Sequence, residues 1–305
     1  MSMLRPALKA SAAAVSLALL TAAPASAQTP TPAPLLVDVN WVSQHLTDRD
    51  LVLLHVGGQY ASEHIPGARV VSEDDLSRPH DHNNPADLML EMPPIDVLLA
   101  KLSGLGISDA SRIVVYVGAN APMQSATRII FTLDYAGLGD RASLLNGGLA
   151  AWTRAGKPVS KDAPPPARGT LTPRAPKDIV VNADFVKSLA QRPGFRLVDG
   201  RAPVFYRGIE PTINGKRGHI PGAINIPFSE IADSQLVIDR DRLSKLFDQA
   251  GIKPNDTIVG YCHVGQQATA MLFAARLLGH EVRLYDGSFQ DWAVNNRGPV
   301  ESVEK

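Results

Sequence analysis

The chain has 305 residues, with 30 basic and 30 acidic side chains, 45% hydrophobic and 6% aromatic residues, and one cysteine. Balanced charge argues against a basic nucleic-acid footprint or attraction to an anionic membrane. A single cysteine excludes an intramolecular disulfide framework, and the length and aliphatic content suffice for two ordinary domains.

At the N-terminus, Arg5 and Lys9 precede an apolar stretch from Ala10 to Ala23, and Ala25-Ser26-Ala27 follows as a small-residue cleavage site. This is the pattern of a secretory signal peptide over residues 1–27. The run is short for a membrane span, and no twin-arginine pair accompanies it. The expectation is Sec-type export to a bacterial periplasm, with no membrane association after cleavage. Residues 28–36 are rich in Pro, Thr and Ala and read as a flexible tether.

From residue 37 a regular grammar begins. A helix is predicted over 40–46 and a buried strand over 51–55. A loop leads to Glu63-His64-Ile65-Pro66-Gly67-Ala68, and a central apolar strand covers 113–117. A last strand covers 142–145, ahead of Asn146-Gly147-Gly148 and Trp152. The segment 161–176, with Pro164-Pro165-Pro166, reads as an interdomain linker.

Beyond the linker the same order returns. A helix is predicted over 183–191, with Asn182 as its N-cap, and a strand over 196–199. Gly218-His219-Ile220-Pro221-Gly222-Ala223 follows, and then an apolar strand ending at Tyr261. A helix over 268–278 is stopped by Gly279, a strand covers 281–285, and Asp286-Gly287-Ser288 precedes Trp292. Three motif pairs in one order indicate a duplication, with copies over 37–160 and 177–305. Strands alternating with helices imply an α/β fold with a parallel sheet covered on both faces. In such sheets ligands bind at the carboxyl ends of the strands.

The only cysteine, Cys262, stands at such an end. It opens the loop Cys262-His263-Val264-Gly265-Gln266-Gln267, and the helix beginning at Ala268 follows directly. Backbone N–H groups and a helix N-terminus there favour a thiolate. Gly265 can adopt positive φ and let the chain curl round the sulfur. The first copy has Val117 at the same place, so the fold itself does not require a thiol. An unpaired thiol in an oxidising compartment is exposed to oxidation, and keeping one there is easier to understand if it acts.

The two copies, the paired His-Ile-Pro-Gly-Ala motifs, the Tyr-Cys loop and the Asp-Gly-Ser-Phe ending before Trp292 together resemble the two-domain rhodaneses, the thiosulfate and 3-mercaptopyruvate sulfurtransferases. The resemblance covers essentially the whole chain after the leader. It implies a tandem of rhodanese-like domains, each a mainly parallel five-stranded sheet with helices on both faces. The first domain would be inactive and the second catalytic. It also implies a ping-pong reaction in which Cys262 takes sulfane sulfur from a small-molecule donor as a persulfide. A thiophilic acceptor such as cyanide or a thiol then receives it. No cofactor or metal is implied, and a protein acceptor stays open.

The chain departs from the family at several positions. The mercaptopyruvate enzymes' Cys-Gly-Ser-Gly loop is absent, because His263 and Val264 follow the cysteine. The thiosulfate enzymes' basic loop is absent too, which leaves His263, when protonated, as the loop's only cation. The missing serine counts more, so thiosulfate is the expected donor. In the segment Asp199 to Pro211, Arg207 matches the family's second arginine and is the anion-binding candidate. Phe205 replaces the first arginine, and Arg207, Lys216 and Arg217 are the candidates to replace its charge. Asp199 and Arg201 match a structural ion pair.

Other readings compete. His64 and His219 recur in both copies and so read as turn-holding residues. Trp152 and Trp292 read as core. His80-Asp81-His82 lacks a further ligand pair at a recognised spacing for a metal. A Cdc25-type phosphatase needs an arginine in the sixth position after its cysteine, where Ala268 stands. A sulfur carrier serving a partner protein remains the alternative of a different class.

Overall fold

The computed structural model describes residues 33–81 and 83–303. The expected leader and most of the expected tether lie outside the described residues, as does His82.

The first copy runs β1 (Leu36–Val37), α1 (Val39–His45), β2 (Leu51–Val56), β3 (Arg69–Val71), α2 (Ile95–Gly104), β4 (Arg112–Val117), α3 (Met123–Tyr135), β5 (Ala142–Leu145) and α4 (Gly148–Arg154). The second runs β6 (Val180–Val181), α5 (Ala183–Ser188), β7 (Phe195–Asp199), α6 (Pro203–Tyr206), β8 (Ile224–Asn225), α7 (Arg240–Gln249), β9 (Thr257–Tyr261), α8 (Gln267–Leu278), β10 (Val282–Tyr285) and α9 (Ser288–Val294). Short 3-10 turns lie between several of these. Each copy builds one five-stranded sheet, ordered β1-β5-β4-β2-β3 and β6-β10-β9-β7-β8, and every pairing is parallel.

Local chemistry explains the element boundaries. Asp38 and Asn182 accept the backbone N–H of Trp41 and Phe185, capping α1 and α5. Gly279 closes α8 in the left-handed conformation, which costs glycine no Cβ clash. The helix expected over 183–191 tightens to a 3-10 turn after Ser188. The first strand starts at Leu36, one residue inside the expected tether, because Leu36 and Val37 pair with β5.

Strand alternation decides which residues meet. In β4, Ile113, Val115 and Val117 enter one core cluster, and Val114 and Tyr116 enter another. In β9, Val259 and Tyr261 face a third cluster with α5 and α9 residues. Ile258 and, one residue past the strand, Cys262 face the first cluster. That cluster contains side chains from both copies, including Ile129 and Leu133 of α3 and Met271 and Leu272 of α8. Cys262 therefore lies on the side of its sheet that faces the other domain. The linker region 161–176 contains no helix or strand beyond the bridge preceding it. It is tied to the first copy by Ser103 Oγ to Gly169 O (2.6 Å) and Thr172 Oγ1 to Asp109 Oδ2 (2.5 Å).

Candidate active site

The paired His-Ile-Pro-Gly-Ala motifs are scaffolding in both domains. His64 Nδ1 lies 2.7 Å from Tyr60 O, and His219 Nδ1 lies 2.7 Å from Tyr206 O. Each imidazole stacks on the same tyrosine, at 4.0 and 3.9 Å. The next N–H, of Ile65 or Ile220, donates at 3.0 Å to the buried hydroxyl of Tyr116 or Tyr261. These tyrosines sit in the central strands, so each motif fixes a turn at the carboxyl end of its sheet.

Opposite Tyr116 in register stands His55, whose Nδ1 is 3.2 Å from the Tyr116 hydroxyl. Opposite Tyr261 stands Asp199. Arg201 binds Asp199 through Nη2 to Oδ2 at 2.5 Å and through Nε to Oδ1 at 3.0 Å, and both side chains are fully buried. Burial works against the charge on Arg201, but Asp199 outweighs it and holds the guanidinium above its ordinary value. Arg201 also lies over the ring of Phe289 at 4.1 Å and feels the charge of Cys262. Its Nη1 has no hydrogen-bond partner. The pair thus fixes geometry beneath the loop and keeps a permanent cation near the sulfur.

Cys262 itself has no exposed surface. Burial pushes its thiol pKa up, while the backbone N–H groups of Ala268, Val264 and Gly265 pull it down. Burial is the larger effect and holds the thiol above its ordinary value, while the loop's N–H groups act in the expected direction, in favour of the thiolate. The loop makes a cradle in which charge on the buried sulfur is stabilised once it forms. Gly265 sits at φ 80°, the positive conformation its position required.

The turn after β10 grips this loop from the other side. Ser288, at φ 51°, accepts the Cys262 N–H on its Oγ at 3.2 Å and donates to Tyr285 O at 2.9 Å. The N–H groups of Phe289 and Gln290 donate to Cys262 O and His263 O, each at 3.0 Å. Ser288 thus holds the backbone of the cysteine. The repeat of its motif marked the segment in the sequence, but not this contact.

His263, expected as the loop's only cation when protonated, does not carry that charge. It is half-buried, and its ring meets that of Phe205 edge-on at 4.7 Å. Burial, and then the charge of Arg201, lower its pKa to about 4, so the imidazole is neutral. Phe205, the replacement for an expected arginine, therefore lies against the loop. Arg207 ends α6 in an exposed position. Arg217 spends hydrogen bonds on Gly208 O and Ile209 O of its own loop, and Lys216 is half-buried.

The first domain supplies contacts that sequence reasoning missed. Gln266 Nε2 donates to Glu73 Oε1 at 2.5 Å and to Ser125 Oγ at 3.3 Å. Thr127 and Thr269 share a hydroxyl hydrogen bond of 3.0 Å between α3 and α8. Arg128 of α3 reaches Gly265 O and Asp286 Oδ1 at 3.1 and 2.8 Å. Residues 85–92 lie on the turn after β10: Met89 N–H donates to Gln290 Oε1 at 3.0 Å and Met92 N–H to Asp286 Oδ2 at 2.7 Å.

A cavity of about 670 Å³ lies on the opposite face of the second sheet, lined by Val186, Phe195, Ile220 and Trp292 among others. Those residues belong to the cluster that Cys262 does not face. Among the described residues no group of three acidic, histidine or cysteine side chains could hold a metal, and no helix is long and apolar enough to cross a membrane.

The chain is similar to known proteins. The model of the rhodanese-like domain matches the chain twice, over residues 28–155 and 182–295. A thiosulfate sulfurtransferase of Azotobacter vinelandii is 30% identical over 272 residues, covering 88% of this chain and 97% of the relative. A 3-mercaptopyruvate sulfurtransferase of Escherichia coli (strain K12) is 27% identical over 283 residues, covering 88% and 98%. Among solved structures, the anaerobic ergothioneine biosynthesis enzyme from Chlorobium limicola has the same fold, with a TM-score of 0.75 at 24% identity. That match covers 88% of this chain and 70% of the other. With two matched domains, two parallel sheets and the paired turns in both, the chain belongs to the rhodanese-like domain family.

Proposed function

We propose that the protein is a sulfurtransferase that carries sulfur on Cys262 and draws it from thiosulfate. The observation that carries this reading is the set of three backbone N–H groups, from Val264, Gly265 and Ala268, acting on a fully buried sulfur. Such donors stabilise negative charge where water cannot. The Cys262 sulfur attacks the outer sulfur of thiosulfate and a new S–S bond forms. The old S–S bond breaks, its electron pair leaves with sulfite, and the thiol proton departs with it. The outer sulfur of the resulting persulfide is then attacked by cyanide or a thiol, which restores Cys262. Because the sulfur has no exposed surface, the donor enters only as the packing around it opens.

A second donor is favoured by one observation. Phe205 and a neutral His263 border the loop where cations were expected. An apolar rim penalises a dianion more than the monoanion 3-mercaptopyruvate. The missing serine supports thiosulfate and the rim supports 3-mercaptopyruvate, while relatives named for each donor match the chain at similar identity. The leader pattern supports a periplasmic location, and a buried thiol suits an oxidising compartment. Steady-state assays with each donor and cyanide test the reading. Cys262→Ser is expected to abolish turnover with both donors while the circular dichroism spectrum is unchanged. Substantial residual turnover would remove Cys262 from its role.

A further inference from the structure

We infer that Arg128, a side chain of the domain that lacks the cysteine, is the positioning residue of the Cys262 cradle. The inference rests on the persulfide reading above. Arg128 is 1% exposed. Its Nη1 donates to Gly265 O and to Asp286 Oδ1, and its Nη2 donates to Leu90 O. One guanidinium thus joins the sulfur loop, the turn after β10 and the first-domain segment over that turn.

Gly265 needs such a hold. Glycine populates positive and negative φ about equally, so the residue itself does not select φ 80°. What selects it is external. A carbonyl pulled onto Arg128 fixes one end of the residue, and the N–H at its other end is then fixed facing the sulfur. Asp286 O and Arg128 Nη1 would stand only 2.8 and 3.1 Å from a Cβ at Gly265, so the clamp also closes the space round it. Two of the three N–H groups acting on Cys262, those of Val264 and Gly265, lie in or beside this clamped stretch. Gln266 is tied to Glu73 and Ser125, again in the first domain. The first domain, which has no thiol of its own, supplies from α3 and from Glu73 the groups that set the loop.

The test separates positioning from plain stability. Arg128→Met alone leaves Asp286 buried without its cation and is expected to destabilise. Arg128→Met/Asp286→Asn removes both charges and keeps an acceptor for the Met92 N–H. In the double variant the melting temperature is expected within a few degrees of the native protein. Its pH midpoint for alkylation of Cys262 is expected to move at least about one unit to alkaline, which is about tenfold in thiolate fraction. Sulfur uptake from thiosulfate in a single turnover is expected to slow by about the same factor. Arg128→Lys, which keeps the charge but not the forked donors, is expected to fall between. A folded double variant with an unmoved midpoint and unchanged uptake would overturn the inference. If the double variant does not fold, the same readings on Arg128→Lys decide. Failure of the native protein to take up sulfur would instead sink the persulfide reading, because the alkylation midpoint still scores the clamp.

Discussion

Cys262 is subject to opposed effects of burial and backbone hydrogen bonding, and the residues beside it decide what it can accept. His263 illustrates how far a sequence carries. A histidine next to a cysteine suggests a cation, but it is kept neutral by burial, to which Phe205 contributes, and by the charge of Arg201, neither of which is local in the chain. The sign of its effect on stability follows. Its folded pKa, about 4, lies below the ordinary histidine value, so between those values the unfolded chain binds a proton that the folded one refuses. Stability contributed by neutral His263 is present above about pH 6.5 and is lost as pH falls toward 4. Thermal unfolding from pH 7 to 4.5 is therefore expected to drop more steeply in the native protein than in His263→Asn. Equal slopes would mean the imidazole titrates normally. Phe205→Arg places a cation at the rim. It is expected to raise kcat/KM for thiosulfate about tenfold, the worth of one hydrogen bond to a charged group. Donor assays on the folded variant check this, and an unchanged value would place the donor's anionic end elsewhere.

At the scale of elements, the strands were legible because each copy repeats the other. The strand read over 142–145 is β5 itself, and Asn182 caps α5 as its residue type suggested. The cradle was half legible. A glycine after a strand-end cysteine announces a tight loop, but nothing local shows that Ser288 binds the cysteine N–H or that Arg128 binds the glycine carbonyl. Those contacts span 26 and 137 residues and exist only once the sheets are packed. The seat of residues 85–92 on the turn after β10 depends on the same packing. Gly265→Ala tests the loop as a unit. A Cβ at positive φ costs ~1–2 kcal/mol and would meet Asp286 O at 2.8 Å. The variant is expected to lose more than tenfold in sulfur uptake while its melting temperature falls by only a few degrees. Full activity would show that the loop tolerates another path.

For the whole molecule, the copy without a cysteine is bound to the other through a common core. The shared core contains side chains from both copies, and buried charges of one pair with charges of the other. Arg128 pairs with Asp286, and Arg276 of α8 with the buried Asp134 of α3 at 3.2 Å. Neither domain can be withdrawn without stranding a buried charge, so the two are expected to unfold as one cooperative unit. In urea, tryptophan fluorescence, to which the first domain contributes Trp41 and Trp152, is expected to change together with the loss of amide-exchange protection in α8 of the second domain. Separated midpoints would show that the domains are independent.

The central claim is that Cys262 carries sulfur, and intact-mass spectrometry of the native protein addresses it. After incubation with thiosulfate and removal of the donor, the mass is expected to rise by one sulfur atom, mapped to the peptide containing Cys262 and lost on addition of cyanide. A mass that does not change with either thiosulfate or 3-mercaptopyruvate, or an increase that persists in Cys262→Ser, would contradict the account.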